Sequence, residues 1–244
     1  MNTALLLSGG TGSRITSGVS KQYIRAGGRM LITYALEPLL KSRLIDWVVI
    51  VADFRWKEPI LEDAAQAGMD VRKIAGFALP GSSRQQSIQN GMKEIIRWRG
   101  DTWGHDDGIS SFADTIFIHD AARPFLKEGL IERCFQALSD HEGVMPVLPM
   151  KDTVYRSESG TRIDSILERN QIYAGQAPEL FILEKYYRAN QALLPEQLMK
   201  VSGSAEPAVL AGMDIAMIPG DEGNFKVTTD IDLCRFREVV ERDS

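Results

Sequence analysis

The stretch LLLSGGTGSRITSGVSKQY, residues 5–23, decides how this chain is read. Three leucines make an apolar run that stops at Ser8 and opens into glycines at 9, 10 and 12. Glycines directly after a strand let backbone N–H groups approach a ligand closely, and such loops commonly cradle phosphates. The loop also carries Arg14 and, seven residues later, Lys21. Two cations beside a glycine turn suit an oligophosphate, although solvated charges on a surface loop would give the same composition. Two familiar phosphate loops fail here. A dinucleotide fingerprint needs a third glycine where Ile15 stands, and a P-loop needs Gly-Lys-Ser/Thr where Lys21 lies between Ser20 and Gln22.

Outward from this loop, short apolar runs alternate with longer amphipathic ones. Strands are predicted at 4–8, 46–52, 114–120 and 143–149, and helices at 30–42, 58–68, 84–98 and 126–140. Continuous apolar strands separated by helices imply a parallel sheet covered on both faces, so the fold class is α/β, a three-layer sandwich with a mostly parallel central sheet. After Pro149 the pattern changes to alternating β-branched and polar residues with a Ser-Glu-Ser-Gly turn at 157–160. That predicts a hairpin, Asp152–Arg156 against Thr161–Ile166, forming an arm at about 150–172 that projects from the sheet. A two-stranded arm is marginal alone and needs something to lean on, such as a second subunit. Residues 97–112 read as a polar loop carrying two tryptophans, and 224–233 as a short strand entering the last helix with Thr228 or Thr229 as cap.

The 244 residues carry a net charge of −5, which argues against a nucleic-acid surface but leaves room for a local basic pocket. Cys134 and Cys234 match no zinc or redox spacing and read as two reduced, buried thiols. No signal peptide is visible and no run approaches the roughly 20 apolar residues of a membrane span, so a cytoplasmic protein is expected.

Four more segments carry candidate chemistry. HDAARP, 119–124, ends an apolar strand at the usual ligand edge of an α/β sheet, and its Asp120 and Arg123 are either a helix-capping pair or ligand contacts. PGSSRQQS, 80–87, is sound N-cap chemistry by itself. Lys226 alternates with Phe225 and Val227 and faces opposite to them. Thr153 and Arg169 lie on or beside the arm.

LSGGTGSR…SKQY resembles the signature loop of sugar-nucleotide pyrophosphorylases. Within that superfamily the chain resembles the 2-C-methyl-D-erythritol 4-phosphate cytidylyltransferase family of CDP-polyol-forming enzymes. The likeness recurs in GSSRQQSIQNG, IHDAARPFL, MKDTVYR, ERNQIYAGQAPELF and NFKVTTDIDL, from Leu5 to about Val239. It implies a single Rossmann-like nucleotidyltransferase domain over 1–244 that joins CTP to methylerythritol phosphate and releases pyrophosphate, as in non-mevalonate isoprenoid synthesis. It further implies a magnesium cofactor and a homodimer exchanging the arm. By the same resemblance, Arg14, Lys21 and Lys226 are the catalytic cations, and Ser8, Gly9, Gly10, Thr11 and Gly12 cradle the triphosphate. Gly81, Ser82 and Ser87 read the pyrimidine. Asp120 and Arg123, with Thr153 and Arg169 from the partner's arm, take the polyol phosphate, and Asp120 touches a metal ion carried mainly by CTP.

A phosphate monoester has a second pKa near 6 and is already nucleophilic at neutral pH, so no catalytic triad is required. Ala177, where such families usually place threonine, and the stretch SGSAEPAVL, 202–210, depart from the pattern. They leave ribitol 5-phosphate as the alternative substrate. A nicotinamide-dependent oxidoreductase, with Asp53 as ribose ligand, and a non-catalytic nucleotide-binding protein are the distant alternatives.

Overall fold

A computed structural model describes residues 1–10, 20–103, 114–194, 197, 200–201 and 203–242. Its centre is β1 (Asn2–Leu7), a strand of aliphatic side chains that are buried on both faces. Next come a two-residue hairpin, β2 (Arg25–Ala26) and β3 (Arg29–Met30), and helix α1 (Leu31–Lys41). The chain then alternates through β4 (Trp47–Val51), α2 (Lys57–Gln66), β5 (Ile74–Ala78), α3 (Arg84–Trp103), β6 (Thr115–Asp120), α4 (Glu128–Ala137) and β7 (Gly143–Pro149). The arm holds β8 (Val154–Arg156) and β9 (Ser165–Leu167). Beyond it lie β10 (Tyr173–Gly175), β11 (Glu179–Ile182), α5 (Leu183–Gln191), a short helix Glu206–Leu210, β12 (Ile215–Pro219) and a final helix Asp230–Arg242.

In the eight-stranded sheet β1 lies between β4 and β6, with β5 beyond β4. On the other side β11 separates β6 from β7, and β12 flanks β7. β4, β5 and β6 run parallel to β1, and β11 runs antiparallel to β6. Crossovers therefore leave β1 in opposite directions, and the carboxyl ends of β1 and β6 border a switch point where α/β sheets bind ligands. Pleating sends Leu6, Val48, Ile50 and Phe117 into one core under α1, α2 and α4. Leu5, Val49, Val51, Ile116 and Ile118 enter a second core beneath α3 and α5. The three-layer reading of the sequence holds for this architecture.

The last helix makes a third cluster, in which Leu233, Phe236 and Val240 pack with Ile24, Leu31 and Val227. The Val227 N–H donates to the Ala122 carbonyl at 2.8 Å. These contacts draw residues 224–227 against the end of β6. Asp232 accepts from both Thr228 and Thr229, and the Asp232 N–H donates to Thr229 Oγ1 at 3.2 Å, so Thr229 caps the helix as its sequence predicts.

Several expectations change. The arm's ladder pairs Val154–Arg156 with Ser165–Leu167 rather than 152–156 with 161–166, because turn bonds from Ser157, Ser159 and Asp164 widen the connection. Residues 225–227 form no strand; β12, which the sequence reading did not place, is the last strand of the sheet. Helix α3 continues to Trp103, through residues read as loop, and Trp98 packs at 4.6 Å on Trp47. Cys134 is buried as expected, whereas Cys234 is exposed on the outer face of the last helix.

Gly91 lets α3 lie close on β1. A Cβ there would sit 2.3 Å from Leu5 Cδ1 and 2.9 Å from Leu5 Cδ2, and Leu5 is fully buried. In an open helix Gly→Ala stabilises by about 1 kcal/mol. Here overpacking reverses the sign, and Gly91→Ala will lower unfolding free energy by about 1–3 kcal/mol in urea denaturation.

Candidate active site

Three loops at the carboxyl edge of the sheet and one segment before the last helix enclose a cavity of about 370 Å³. The first loop leaves β1 at Ser8. Gly9 is required there, because a Cβ would lie 2.4 Å from Pro80 Cβ in the second loop. Gln22 Nε2 donates to the carbonyls of Ser8 and Gly10 at 2.5 and 2.8 Å. Tyr23 Oη lies 3.2 Å from the Ser8 carbonyl, and its ring stacks on Trp56 at 3.9 Å. These contacts tie the far end of the glycine loop, Lys21–Tyr23, back to its beginning. Lys21 is thereby set on the cavity wall beside Ser8, Gly9 and Gly10.

The second loop precedes α3. Ser83 Oγ accepts from the Gln86 N–H at 3.1 Å and caps the helix, while Ser87 Oγ accepts from the Gly81 N–H at 3.0 Å. Ser82 meets Gln86 Oε1 through both its N–H and its hydroxyl at 2.7 Å. Gly81, Ser82 and Ser87, the residues that the family resemblance assigns to the pyrimidine, all line the cavity and give it a polar wall.

The third loop supplies Asp120, buried at the end of β6. Arg84 Nη1 donates to its Oδ1, and Lys226 Nζ lies 2.7 Å from its Oδ2. Burial would raise the Asp120 pKa, but the two cations outweigh it and hold the carboxyl well below the usual carboxylate range. Asp120 is therefore ionised at neutral pH. Neighbouring His119 is fully buried, with Nε2 3.0 Å from the Arg123 carbonyl, and burial pushes its pKa down to about 4. It is a neutral packing residue at pH 7.

Lys21, Asp120 and Lys226, from three distant segments, thus share one cavity. Arg123 does not line it. Its Nη1 donates to the Asn224 carbonyl at 2.8 Å, and it opens instead on an adjoining cavity of about 350 Å³ with Lys151, Gln176 and Phe225. The buried Arg123 Nε has no hydrogen-bond partner and lies 3.9 Å from Asp120 Oδ2, between the two cavities. Thr153 and Arg169 are exposed on the arm and line neither cavity; Arg169 Nη1 donates to the Lys151 carbonyl at 3.0 Å. Thr11, Gly12 and Arg14 lie outside the described residues.

Arg84 escaped the sequence reading, which took its segment for capping chemistry. One signal was present: a cation in the first turn of a helix opposes the helix dipole and calls for a carboxylate nearby. Among the described residues no group of three or more His, Cys, Asp and Glu is placed to hold a metal. Both Asp120 oxygens are engaged by cations, so the residues here do not form a protein cage for a divalent ion.

A family model described as IspD: 2-C-methyl-D-erythritol 4-phosphate cytidylyltransferase matches residues 3–242. The chain is 31% identical over 238 residues to the 2-C-methyl-D-erythritol 4-phosphate cytidylyltransferase of Thermotoga neapolitana, covering 97% of this chain and 96% of that protein. It is also 31% identical over 241 residues to the bifunctional enzyme IspD/IspF of Maricaulis maris, covering 97% of this chain and 56% of the relative. The chain thus spans about half the length of several curated relatives it matches. Among solved structures, 4-diphosphocytidyl-2C-methyl-D-erythritol synthase from Anaerococcus prevotii superposes with a TM-score of 0.76 at 20% identity, covering 99% and 96% of the two chains. IspD from Francisella tularensis gives 0.75 at 20% identity, covering 98% and 100%, which supports the fold.

The buried pair His119 and Asp120 sets an acid limit on stability. The folded state holds His119 neutral down to about pH 4, while the unfolded chain protonates it below 6.5. Stability therefore falls as pH drops through that window, by about 2 kcal/mol between pH 7.5 and 5. The depressed Asp120 carboxyl adds a further loss only below about pH 4, where the unfolded chain takes up its proton. Urea unfolding at pH 7.5 and 5 should show the first step in the wild type and its removal in His119→Gln.

Proposed function

The chain belongs to the 2-C-methyl-D-erythritol 4-phosphate cytidylyltransferase family, and on that footing we propose that it joins CTP to methylerythritol phosphate with release of pyrophosphate. The observation that carries this reading is the convergence of Lys21 and Lys226 on one polar cavity, next to a second cavity reached by Arg123. The first accommodates the nucleotide, with Gly81, Ser82 and Ser87 towards the pyrimidine and Ser8, Gly9 and Gly10 towards the phosphates. The second accommodates the polyol phosphate.

In the proposed step a non-bridging oxygen of the polyol phosphate attacks the α-phosphorus of CTP. A new P–O bond forms, the bond to the β-phosphate bridge breaks, and its electron pair leaves with pyrophosphate. The barrier is the approach of two polyanions and the spread of charge in the transition state, which fixed cations lower by electrostatic stabilisation. Lys21 holds the triphosphate, Lys226 bridges the reacting phosphates, and Arg123 orients the polyol phosphate. Arg14 follows the family resemblance as a second triphosphate cation. A magnesium ion brought with the nucleotide would supply further charge to offset the leaving pyrophosphate.

The arm exposes Tyr155, Ile163 and Ile166, with Tyr173 of β10 exposed beyond its end, an apolar set that suits the surface of a second copy. Docked so, Thr153 and Arg169 serve the partner's polyol site. Light scattering at micromolar concentration should give the mass of a dimer, and a monomer mass would remove the exchange.

The reaction itself is tested by a pyrophosphate-release screen crossing the four NTPs with methylerythritol 4-phosphate, ribitol 5-phosphate and glycerol 3-phosphate. Release with CTP and methylerythritol 4-phosphate is expected; release only with ribitol 5-phosphate would move the substrate, and none at all would overturn the enzyme. Lys21→Ala should keep the fold and lower kcat by roughly 10²–10³, the cost of losing one preorganised donor.

A further inference from the structure

Arg84 has no task in the transfer just described, yet it is among the most heavily engaged side chains of the site. It opens α3, where a positive charge faces the positive end of the helix dipole and is unfavourable unless acceptors hold it. The guanidinium is gripped from two sides. Nη1 donates to Asp120 Oδ1, while Nε and Nη2 lie 3.3 and 3.1 Å from Ser204 Oγ. Ser204 in turn donates to Glu179 Oε1 at 2.9 Å, using its single proton there and its lone pairs towards Arg84. Glu179 Oε2 is buried, makes no hydrogen bond, and lies 3.9 Å from Arg84 Nη2.

A continuous line therefore runs from Glu179, where β11 begins, through Ser204 and Arg84 to Asp120, and from the other Asp120 oxygen to Lys226. Each link has a geometric reason. A guanidinium is a rigid planar fork that can face two acceptors at fixed angles, whereas an ammonium on a four-carbon stem has no preferred direction. Lys226 stands on a segment without regular structure and is partly exposed, so its direction depends on the carboxylate it meets.

We propose that Arg84, anchored by Ser204 and Glu179, is a positioning residue for the transfer: it fixes the Asp120 carboxylate and, through it, aims the Lys226 ammonium at the cavity. This rests on the cytidylyltransferase reading for its kinetic consequences alone; the geometric consequence stands apart from the substrate.

Arg84→Lys keeps the charge and loses the fork, and Arg84→Met loses both. With a displaced ammonium, kcat for both should fall by about 10²-fold, the scale of a 1 Å misplacement, while KM for CTP stays within about threefold. The distinguishing measurement is a double-mutant cycle. In a Lys226→Met background, adding Arg84→Met should cost less than about threefold in kcat, since the group it aims is gone. Full multiplication of the two losses, or unchanged kcat in folded Arg84→Met, would overturn the proposal. Ser204→Ala is a milder variant that leaves the Arg84–Asp120 pair and should lower kcat about tenfold with KM unchanged, by loosening the fork. It serves if the Arg84 variants do not fold, and unchanged kcat in it then counts against the line of contacts. If the wild type releases no pyrophosphate with any substrate, the reaction assignment fails, and a crystal structure of Arg84→Met or Ser204→Ala decides the positioning instead. There the Asp120 carboxylate should turn and carry Lys226 Nζ about 1 Å or more from its wild-type position, and an unmoved pair would refute the proposal.

Discussion

One carboxylate organises this site. Asp120 ends the strand beside β1, is nearly inaccessible to water, and stays ionised because Arg84 and Lys226 each take one of its oxygens. A buried charge is tolerated when it is paired, and breaking such a pair from either side is far more costly than never having built it. The surrounding fold meets that condition. Helix α3 delivers Arg84, the last helix packs through Leu233 and Phe236 to deliver Lys226, and the parallel sheet sets Asp120 at the switch point between them.

The same arrangement explains why the site needs neither a nucleophilic side chain nor a general base. The proposed reaction brings together two anions that are already reactive, so the work left to the protein is to hold cations in place and to exclude alternatives to in-line attack. The glycine loop contributes through its anchorage as much as through its amides. Gln22 and Tyr23 pin its two ends, and Tyr23 stacks on Trp56, so that Lys21 stands on a rigid turn rather than on a free loop.

Much of this was legible in the sequence where one physical rule acted alone. The apolar runs at β1, β4, β6 and β7 gave the parallel sheet, because residues buried on both faces leave no polar alternation to misread. Lys21, Asp120 and Lys226 were legible as a group through family resemblance; nothing in their spacing of a hundred residues would have joined them. Arg84 and Glu179 were missed because a capping serine cluster already accounted for the first, and because the second lies in an apolar strand where a carboxylate is held by residues 25 and 95 positions away. Residues 225–227 were read as a strand since Phe-Lys-Val alternates, yet side chains can alternate beside a β-strand without joining its ladder. β12 went unseen because its residues, Ile215–Pro219, are mostly half-exposed and end in proline, features of an edge strand with a weak pattern.

Separate parts of the chain bring Lys21 and Lys226 to one cavity, where the proposed reaction joins two phosphates. A crystal structure of the protein with CTP tests it most directly. The triphosphate should lie within hydrogen-bonding reach of Lys21 Nζ and Lys226 Nζ, with the cytosine against Gly81, Ser82 and Ser87. A nucleotide bound elsewhere, or a triphosphate turned to solvent with both ammonium groups remote from it, would contradict the account.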